Sequence, residues 1–353
     1  MPKQVCLFVY EGTNFLTLGG LLETFSTLSD IQKDPRKTYV PRVCSVAGGE
    51  ISGRNGCFVR TESLADHETV AWDTFAICGG WGFDQALKSK RLVAQVAQHA
   101  HRAQRVCVLG GGAFIAAAAG LLDGHRVAAH PVVGGILAKK FPRVLIDQMS
   151  LLVSDRGLFT SPGMSSAVDL ALTMIECDFG RRAAMEVAKY LVVPLKRSFN
   201  DPQLSPELML QEKSDRFGEL HDWMRSNLRN RLSIEELAGH AAMSVRNFTR
   251  LYHAETGMSP RRAVELVRIY AACRMLLFTK EHIKSVASRC GFGSERTFLR
   301  SFGRVVGMSP VEFRESASGD RSGLPMGRVL DGLETFASRP VDIMADRLTS
   351  SID

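Results

Sequence analysis

Residues 244–260 read SVRNFTRLYHAETGMSP, and fifty positions later residues 294–310 read SERTFLRSFGRVVGMSP. Eight of the seventeen aligned residues are identical. Each copy opens with a serine, which favours a helix start because its hydroxyl can accept a hydrogen bond from a free backbone N–H of the first turn. Each copy closes with Gly-Met-Ser-Pro, which predicts that one helix stops and another begins. The chain therefore contains a tandem duplication built around one helix.

The repeated helix has two different faces. Helical spacing places Phe248 and its counterpart Phe298 on a face predicted to be buried, together with Phe302. Positions 246, 249 and 250 share another face, because residues three and four apart are neighbours on a helix surface. A helix that buries phenylalanine and exposes arginine, and that occurs twice, indicates a protein that binds DNA.

A shorter amphipathic helix precedes each copy. Ser233 is predicted to cap a helix over Ile234–Ala241, and a helix over Ile283–Cys290 is followed by a turn at Gly291-Phe292-Gly293. Each pair forms a helix-turn-helix unit. Between the two units, Arg261–Phe278 is predicted to be one continuous helix, about 25 Å long at 1.5 Å per residue.

The charge distribution supports a nucleic-acid partner. Residues 240–316 contain thirteen Lys or Arg and six Asp or Glu, so their net charge of +7 equals that of the whole chain. Contacts from Arg and Lys to phosphates supply affinity for double-stranded DNA, and a bidentate Arg–guanine pair adds about 1–3 kcal/mol of discrimination. The predicted DNA-contacting residues are Ser244, Arg246, Thr249, Arg250, Ser294, Glu295, Arg296, Leu299 and Arg300. The alternative is that several of them are only solvated helix surface, and Glu295 is useful only against a cytosine amine.

Residues 217–316 resemble the DNA-binding domain of the AraC/XylS family of transcription regulators. The resemblance depends on five motifs: Leu237-Ala238, Phe248-x-Arg250, Gly257-Met258-Ser259-Pro260, Gly291-Phe292 and Phe298-x-Arg300-x-Phe302. It implies that residues 217–230 contain the first helix of that domain. It also implies that the two repeated helices enter successive major grooves about 34 Å apart, so that one protomer covers an asymmetric site.

The first two hundred residues have a different pattern, in which short apolar runs alternate with glycine turns and helical stretches. Strands are predicted at Val5–Val9, Val40–Val46, Thr74–Cys78 and Val106–Leu109, and helices at Leu18–Leu28, Arg91–Arg102 and Ala113–Leu122. This order predicts an α/β fold with a doubly wound parallel sheet. Ligands of such sheets lie beyond the carboxyl ends of the strands. Gly79-Gly80-Trp81 and Gly110-Gly111-Gly112 are therefore expected on one rim.

Residues 4–193 resemble the ThiJ/PfpI superfamily, whose flavodoxin-like fold is that of class I glutamine amidotransferases. The matching stretches are Gly12 with Glu23-Thr24-Phe25, Cys78-Gly79-Gly80, Gly112-Ala113-Phe114 with residues 119–124, His130, and Thr160-Ser161-Pro162-Gly163 with Asp169-Leu170-Ala171. Joined to an AraC-type domain, this arrangement resembles the GlxA-type regulators.

Two departures from the superfamily indicate that the domain is not an enzyme. Its enzymes carry a reactive cysteine at a strand-to-helix elbow, supported by a nearby acid. The alignment places Gly110 at the position of the cysteine and Thr17 at the position of the acid. We therefore predict no catalytic residues. Cys107, three residues before Gly110, is interpreted as an inert core thiol, with a role as nucleophile kept as the alternative.

A pocket without a nucleophile can still bind a ligand. The predicted effector-binding residues are Thr17, Gly79, Gly80, Trp81, Gly110, Gly111 and His130. The expected effector carries a carboxylate, as an amino acid or an amine with an acid group does, because free backbone N–H groups favour an anion. Trp81 is expected either to stack on a cationic amine or to pack at the rim. The glycines and His130 have a structural alternative, as packing and hydrogen-bonding residues.

The remaining predictions concern organisation. The domains are predicted at 1–193, 194–214 (linker), 215–316 and 317–353 (a disordered tail), with a last helix of the first domain at Met185–Val193. No apolar run reaches the roughly 18 residues that a membrane span needs, and the N-terminus lacks a signal-peptide pattern, so the expected location is the cytoplasm. Eight cysteines without CxxC spacing predict reduced, mostly buried thiols and no metal site, and no cofactor is expected.

The resemblances imply a homodimer, contact with RNA polymerase and activation of transcription, with repression left open. Two rival hypotheses remain. One is a cysteine-dependent amidase or hydrolase with an appended DNA-binding domain. The other is a constitutive DNA-binding protein whose sensor domain has lost its ligand.

Overall fold

The computed structural model describes residues 1–148, 150–193, 197, 203 and 217–316. They form two compact units, one running to Gln203 and the other comprising the described residues 217–316. Most of the predicted linker and the whole predicted tail lie outside the described residues. The domain boundaries therefore stay predictions.

The first unit alternates strands and helices. Its described strands are β1 Lys3–Phe8, β2 Tyr39–Ser45, β3 Gly49–Ser52, β4 Phe58–Ser63, β5 Thr74–Ile77, β6 Arg105–Leu109, β7 Arg126–Ala128, β8 Leu145–Asp147, β9 Val153–Asp155 and β10 Leu158–Ser161. Its described helices are α1 Phe15–Ile31, α2 Phe83–Lys88, α3 Lys90–Arg102, α4 Gly112–Ala118, α5 Pro131–Lys140 and α6 Ser166–Tyr190.

Eight strands form one sheet in the order β3-β4-β2-β1-β5-β6-β10-β9. The six central strands run parallel, while β3 and β9 pair antiparallel at the two edges. β7 and β8 form a separate parallel pair. Because β1 lies inside the sheet and the chain proceeds from it in both directions, the sheet is doubly wound, as predicted.

Both faces of this sheet are covered. Alternate residues of β1 enter different cores: Leu7 packs with Phe25 of α1 and Leu170 of α6, whereas Phe8 joins the core that contains Phe114 of α4. Side chains that alternate between two buried faces require apolar residues on both, which explains the continuous apolar run over residues 5–8 of β1.

The structure corrects three local predictions. The helix predicted over Ala113–Leu122 ends at Ala118, just before Gly120 adopts a φ of +74°. The predicted helix over Met185–Val193 is the last part of α6, which ends at Tyr190 and is kinked at Gly180 (φ 84°). The strands β3, β4 and β7 to β10 had no prediction, because they are short and carry polar residues that interrupt the apolar pattern.

The second unit is helical in its described part. Its helices are α7 Gly218–Ser226, α8 Ile234–His240, α9 Val245–Thr256, α10 Pro260–Phe278, α11 Ile283–Arg289, α12 Glu295–Val306 and α13 Pro310–Ser316. The pairs α8–α9 and α11–α12 are the two predicted helix-turn-helix units, and α10 is the continuous helix between them. Across the described ranges of the chain, we find no helix long and apolar enough to cross a membrane.

Candidate nucleic-acid interface and ligand site

The second helix of each helix-turn-helix unit, α9 or α12, is called here a recognition helix. The Ser244 hydroxyl accepts a hydrogen bond from the Asn247 N–H at 3.4 Å, and the Ser294 hydroxyl accepts one from the Thr297 N–H at 3.1 Å. The helices end at Gly257 and Gly307, with φ of 72° and 82°. This left-handed conformation favours glycine, so the repeated residues fix both ends of both helices. The two predicted N-caps are confirmed.

The inner faces of the recognition helices are fully buried. Phe248 and Phe298 have no exposed surface, and neither has Phe302. The ring of Phe248 lies 5.8 Å from that of Phe217, while Phe298 lies 5.4 Å from Phe302. Aromatic pairs at these centroid separations add to the stabilisation from apolar burial. The three phenylalanines are core residues, as predicted.

The outer faces carry the predicted DNA-contacting side chains. Arg246 and Arg250 on α9, and Arg296 and Arg300 on α12, are exposed, and the structure shows no ion pair to these four within its described residues. Other arginines of this unit are neutralised; Arg304, for example, pairs with Glu265. The four arginines are therefore free to meet phosphates or base edges.

The other predicted DNA-contacting residues differ in how far their side chains are exposed and in their hydrogen bonds. Glu295 is exposed at the first position of α12, and Leu299 keeps 40% of its surface exposed. Thr249 is half-buried, and its hydroxyl donates to the Val245 carbonyl at 2.8 Å. Thr249 therefore offers a methyl group or an acceptor oxygen to DNA more readily than a donor.

The structure adds three exposed residues to these outer faces: Val245, Asn247 and Thr297. Arg250 Nη2 donates to Asn247 Oδ1 at 3.1 Å, which orients the amide beside the guanidinium. Asparagine pairs with adenine and arginine with guanine in the major groove. Sequence reasoning missed Asn247, although its spacing of three from both Ser244 and Arg250 was a usable signal.

The first unit contains the strand-to-helix elbow at the carboxyl end of β6. Gly110 follows β6 with a φ of +50°, and its N–H donates to the Ser161 carbonyl at 3.0 Å. A Cβ at this position would lie 3.1 Å from the Pro162 carbonyl oxygen. The elbow thus has a left-handed backbone conformation that would be strained for a residue with a nucleophilic side chain, but glycine adopts it without strain and has no side chain to react.

Thr17 occupies the position of the missing acid, and its side chain has a structural partner. It is 1% exposed on α1, and its Oγ1 accepts the Met164 N–H at 3.0 Å. The hydroxyl therefore fastens the turn after β10 to α1. It cannot supply the carboxylate that would support a thiolate.

The glycines of this rim are required by close backbone packing. A Cβ at Gly79 would lie 2.6 Å from the Leu109 carbonyl oxygen, and one at Gly80 would lie 2.5 Å from that of Gly12. A Cβ at Gly111 would lie 2.5 Å from the Gly80 carbonyl oxygen. Such contacts accommodate no side chain, so packing alone explains these three glycines. This supports the structural alternative kept for them, and their role in binding stays a proposal.

Trp81 stands at the same rim with a cation on its face. The Arg54 guanidinium carbon lies 5.2 Å from the centroid of the indole ring. A cation–π contact of this kind is the one that we predicted for an amine of the effector. The chain itself supplies the cation, so an effector amine must displace Arg54 or use another surface, whereas a carboxylate would meet a positive charge.

His130 lies between β7 and α5. The residue keeps an exposed surface, yet partial removal from water lowers its pKa below the usual value. The Ala128 N–H donates to Thr160 Oγ1 at 2.8 Å, which ties the segment before His130 to β10, the neighbour of β6.

The cysteines near the elbow are buried. Cys107 is 2% exposed, and burial raises the pKa of its thiol to about 12. Cys78 is fully buried, and burial likewise raises its pKa to about 12. A nucleophilic or metal-binding cysteine needs its thiolate, which such environments suppress at neutral pH.

Comparison with known proteins matches each unit to a family. The DJ-1/PfpI family matches residues 3–177, and a helix-turn-helix domain matches residues 237–316. A ThiJ/PfpI family protein from Pseudomonas syringae has a similar fold, with a TM-score of 0.51 and 19% identity over 63% of this chain and 87% of that one.

Two relatives span both units. The chain is 31% identical over 250 residues to the HTH-type transcriptional regulator Rv1931c of Mycobacterium tuberculosis. This alignment covers 69% of this chain and 95% of the relative. It is 26% identical over 328 residues to the HTH-type transcriptional regulator GbdR of Pseudomonas aeruginosa, covering 93% of this chain and 86% of the relative. The chain therefore belongs to the family of DNA-binding, AraC-type helix-turn-helix transcription regulators that carry a DJ-1/PfpI domain.

Proposed function

We propose that the first unit of this regulator binds a small-molecule effector without catalysis, and that the bound effector changes how the recognition helices bind DNA. The observation that carries the proposal is the elbow at Gly110. Its left-handed backbone is retained, while the two positions that would supply a nucleophile and an acid hold a glycine and a hydrogen-bonded threonine.

The chemistry of the rim favours an anionic group on the effector. Arg54 is exposed and lies on Trp81, so a positive charge stands beside the carboxyl ends of the central strands. In an α/β sheet this edge is where ligands bind. We propose a carboxylate-bearing amino acid or amine as the class of effector. Thr17, Gly79, Gly80, Trp81, Gly110, Gly111 and His130 are the proposed surrounding residues.

The DNA contacts form the second half of the proposal. The nine residues predicted from sequence, with Val245, Asn247 and Thr297 added, are proposed to contact bases or phosphates. The absence of any ion pair to the four outer-face arginines, among the described residues, supports this assignment. We further propose that the protein acts as a homodimer in the cytoplasm, contacts RNA polymerase and activates transcription.

Footprinting of the full chain on its gene's own upstream region, with and without a panel of amino acids, amines and short carboxylates, tests the proposal. We expect protection of a defined site, and a change in its affinity or borders with at least one carboxylate. A thermal shift for the same compound should follow, because a ligand that binds only the folded state stabilises it. Protection that no compound alters, together with no thermal shift across the panel, would favour the constitutive DNA-binding protein.

The rival enzyme has its own test. Rapid stoichiometric alkylation of a single cysteine at neutral pH, with turnover lost when that cysteine is replaced, would establish it. We expect Cys78 and Cys107 to react slowly, since burial excludes the reagent and disfavours the thiolate. Cys57 and Cys177 are exposed and serve as internal controls for labelling.

A further inference from the structure

The structure describes two residues of the predicted linker, Arg197 and Gln203, and both are hydrogen-bonded to the first unit. The Arg197 backbone N–H donates to Asp169 Oδ1 at 2.8 Å. Its side-chain Nε and Nη2 donate to Asp169 Oδ2 at 3.0 and 2.6 Å. Three hydrogen bonds to one carboxylate fix the chain at this point.

The Asp169 carboxylate needs this partner. The residue is only 3% exposed, in the first turns of α6. Removal of a cation from a buried carboxylate is unfavourable, because less of its charge is then compensated. Arg197 keeps 30% of its side chain exposed, so the pair is accessible from the Arg197 side. The contact is therefore costly to break on the Asp169 side, while the Arg197 side is open to solvent.

Asp169 is connected to the silenced elbow through the turn 161–166. The Ser166 hydroxyl donates to the Gly163 carbonyl at 2.7 Å and closes that turn. Gly163 lies against the elbow, since a Cβ there would be 3.1 Å from the Gly110 Cα. Met164 donates to Thr17. The turn thus touches both positions where the enzyme chemistry is missing, and α6 continues directly from it to Asp169.

Gln203 is held beside another proposed effector residue. Its Nε2 donates to the Ala129 carbonyl at 3.0 Å and to the Ser150 carbonyl at 3.2 Å. Ala129 directly precedes His130. Both described linker residues are thus anchored on segments that adjoin the proposed effector site.

We propose that the Arg197–Asp169 ion pair is the element that couples the effector site to the DNA-binding unit. This inference rests on the proposed function, because it assumes an effector at the elbow. An effector against Thr17 and Gly110 displaces the turn 161–166, and this displacement changes how firmly Asp169 holds Arg197. Arg197 is a positioning residue: it holds the chain between the two units against Asp169, and through this hold it affects how the recognition helices reach DNA.

The test is a double-mutant cycle on the full chain, with Arg197→Ala, Asp169→Asn and the double variant. DNA affinity is measured on the upstream fragment by fluorescence anisotropy, without added ligand. We expect each single variant to change the dissociation constant by about five-fold or more, in the range of typical allosteric couplings. The double variant should match the single ones, because both replacements break the same contact.

A matched control lies on the same helix. Arg182 forms an exposed ion pair with Glu186 on α6, with 93% and 50% of their side chains exposed. Arg182→Ala removes the same charge without touching the turn, and we expect it to leave DNA affinity unchanged. Arg197→Lys keeps the charge but cannot form the two-pronged contact, so its effect should be intermediate.

Hydrogen exchange supplies a second readout that does not depend on DNA. In the Arg197→Ala variant, exchange should accelerate over residues 161–170 and at the elbow, residues 108–113, but not in the Arg182→Ala control. If the Asp169→Asn variant fails to fold, the DNA affinities and exchange patterns of Arg197→Ala and Arg197→Lys still test the coupling.

The outcomes separate the two proposals. A wild-type chain that binds no DNA fragment contradicts the proposed function itself. A wild-type chain that binds specifically, with variants that keep its affinity and its exchange pattern, overturns only the coupling. Additive effects of the two single replacements would also overturn it, since the residues would then act independently.

Discussion

The two recognition helices share their inner faces and differ on their outer faces. Both are capped by serine, both end at a left-handed glycine, and both bury a phenylalanine completely. On the outer faces the paired arginines persist, but Val245 is replaced by Glu295 and Asn247 by Thr297. The residues that cap and pack the helix are thus retained, as are the outward arginines, while the outward residues between them have diverged. The two copies therefore fold alike, and we expect them to contact different bases.

The largest expected effect is on the free energy of unfolding, and it concerns the buried phenylalanine that both recognition helices carry. Phe248→Ala and Phe298→Ala should each lower the free energy of unfolding by about 3–5 kcal/mol, because each leaves a cavity in a closed core. Scanning calorimetry measures the loss. Phe248→Leu is the control of similar volume and should cost less than about 1.5 kcal/mol. A small loss for only one of the two alanine variants would show that the two copies are packed differently.

The next largest expected effect is on DNA affinity, and it concerns the arginines that both outer faces share. If they contact guanine, Arg250→Ala and Arg300→Ala should each weaken specific binding by about 1–3 kcal/mol, or about 5- to 150-fold in dissociation constant. Replacing each arginine by lysine distinguishes a phosphate contact from a guanine contact. Lysine should restore binding and its salt dependence at a phosphate, but it cannot form the two-pronged contact with guanine. Arg182→Ala in the first unit is the control for a simple loss of charge.

The smallest expected effect is on stability, and it compares the serine N-caps of the two recognition helices. Replacing Ser294 or Ser244 by alanine should cost about 0.5–2 kcal/mol of stability. We expect the larger loss at Ser294, because its hydroxyl lies closer to the capped N–H and also pairs with Thr297 Oγ1 at 2.9 Å. Calorimetry on the two variants checks the order. A larger loss at Ser244 would mean that cap geometry does not determine the difference.

Local patterns predicted the repeated elements well. The duplication located α9 and α12, their serine caps and their buried phenylalanines, because all of these depend on residues within one or two helical turns. The order of strands and glycine turns likewise predicted the doubly wound sheet and the turn after β6. These features follow from spacing along the chain, whereas the resemblance to the ThiJ/PfpI superfamily identified Gly110 as the elbow.

The remaining features depend on contacts between residues that are distant in sequence. Arg54 reaches Trp81 from the loop after β3, and Arg197 reaches Asp169 from the predicted linker. Neither pairing leaves a periodic signal. The glycines of the rim were visible in the sequence, but only the neighbouring carbonyl oxygens show that Gly79, Gly80 and Gly111 are required by packing.

One measurement tests most directly the claim that the two recognition helices contact different parts of one site. Hydroxyl-radical footprints of the full chain, of Arg250→Ala and of Arg300→Ala are compared on the same upstream fragment. The account predicts that each variant loses protection in one half of an asymmetric site, with the two losses about one helical turn, or about 34 Å, apart. Loss of the same positions in both variants, or an unchanged footprint in both, would contradict it.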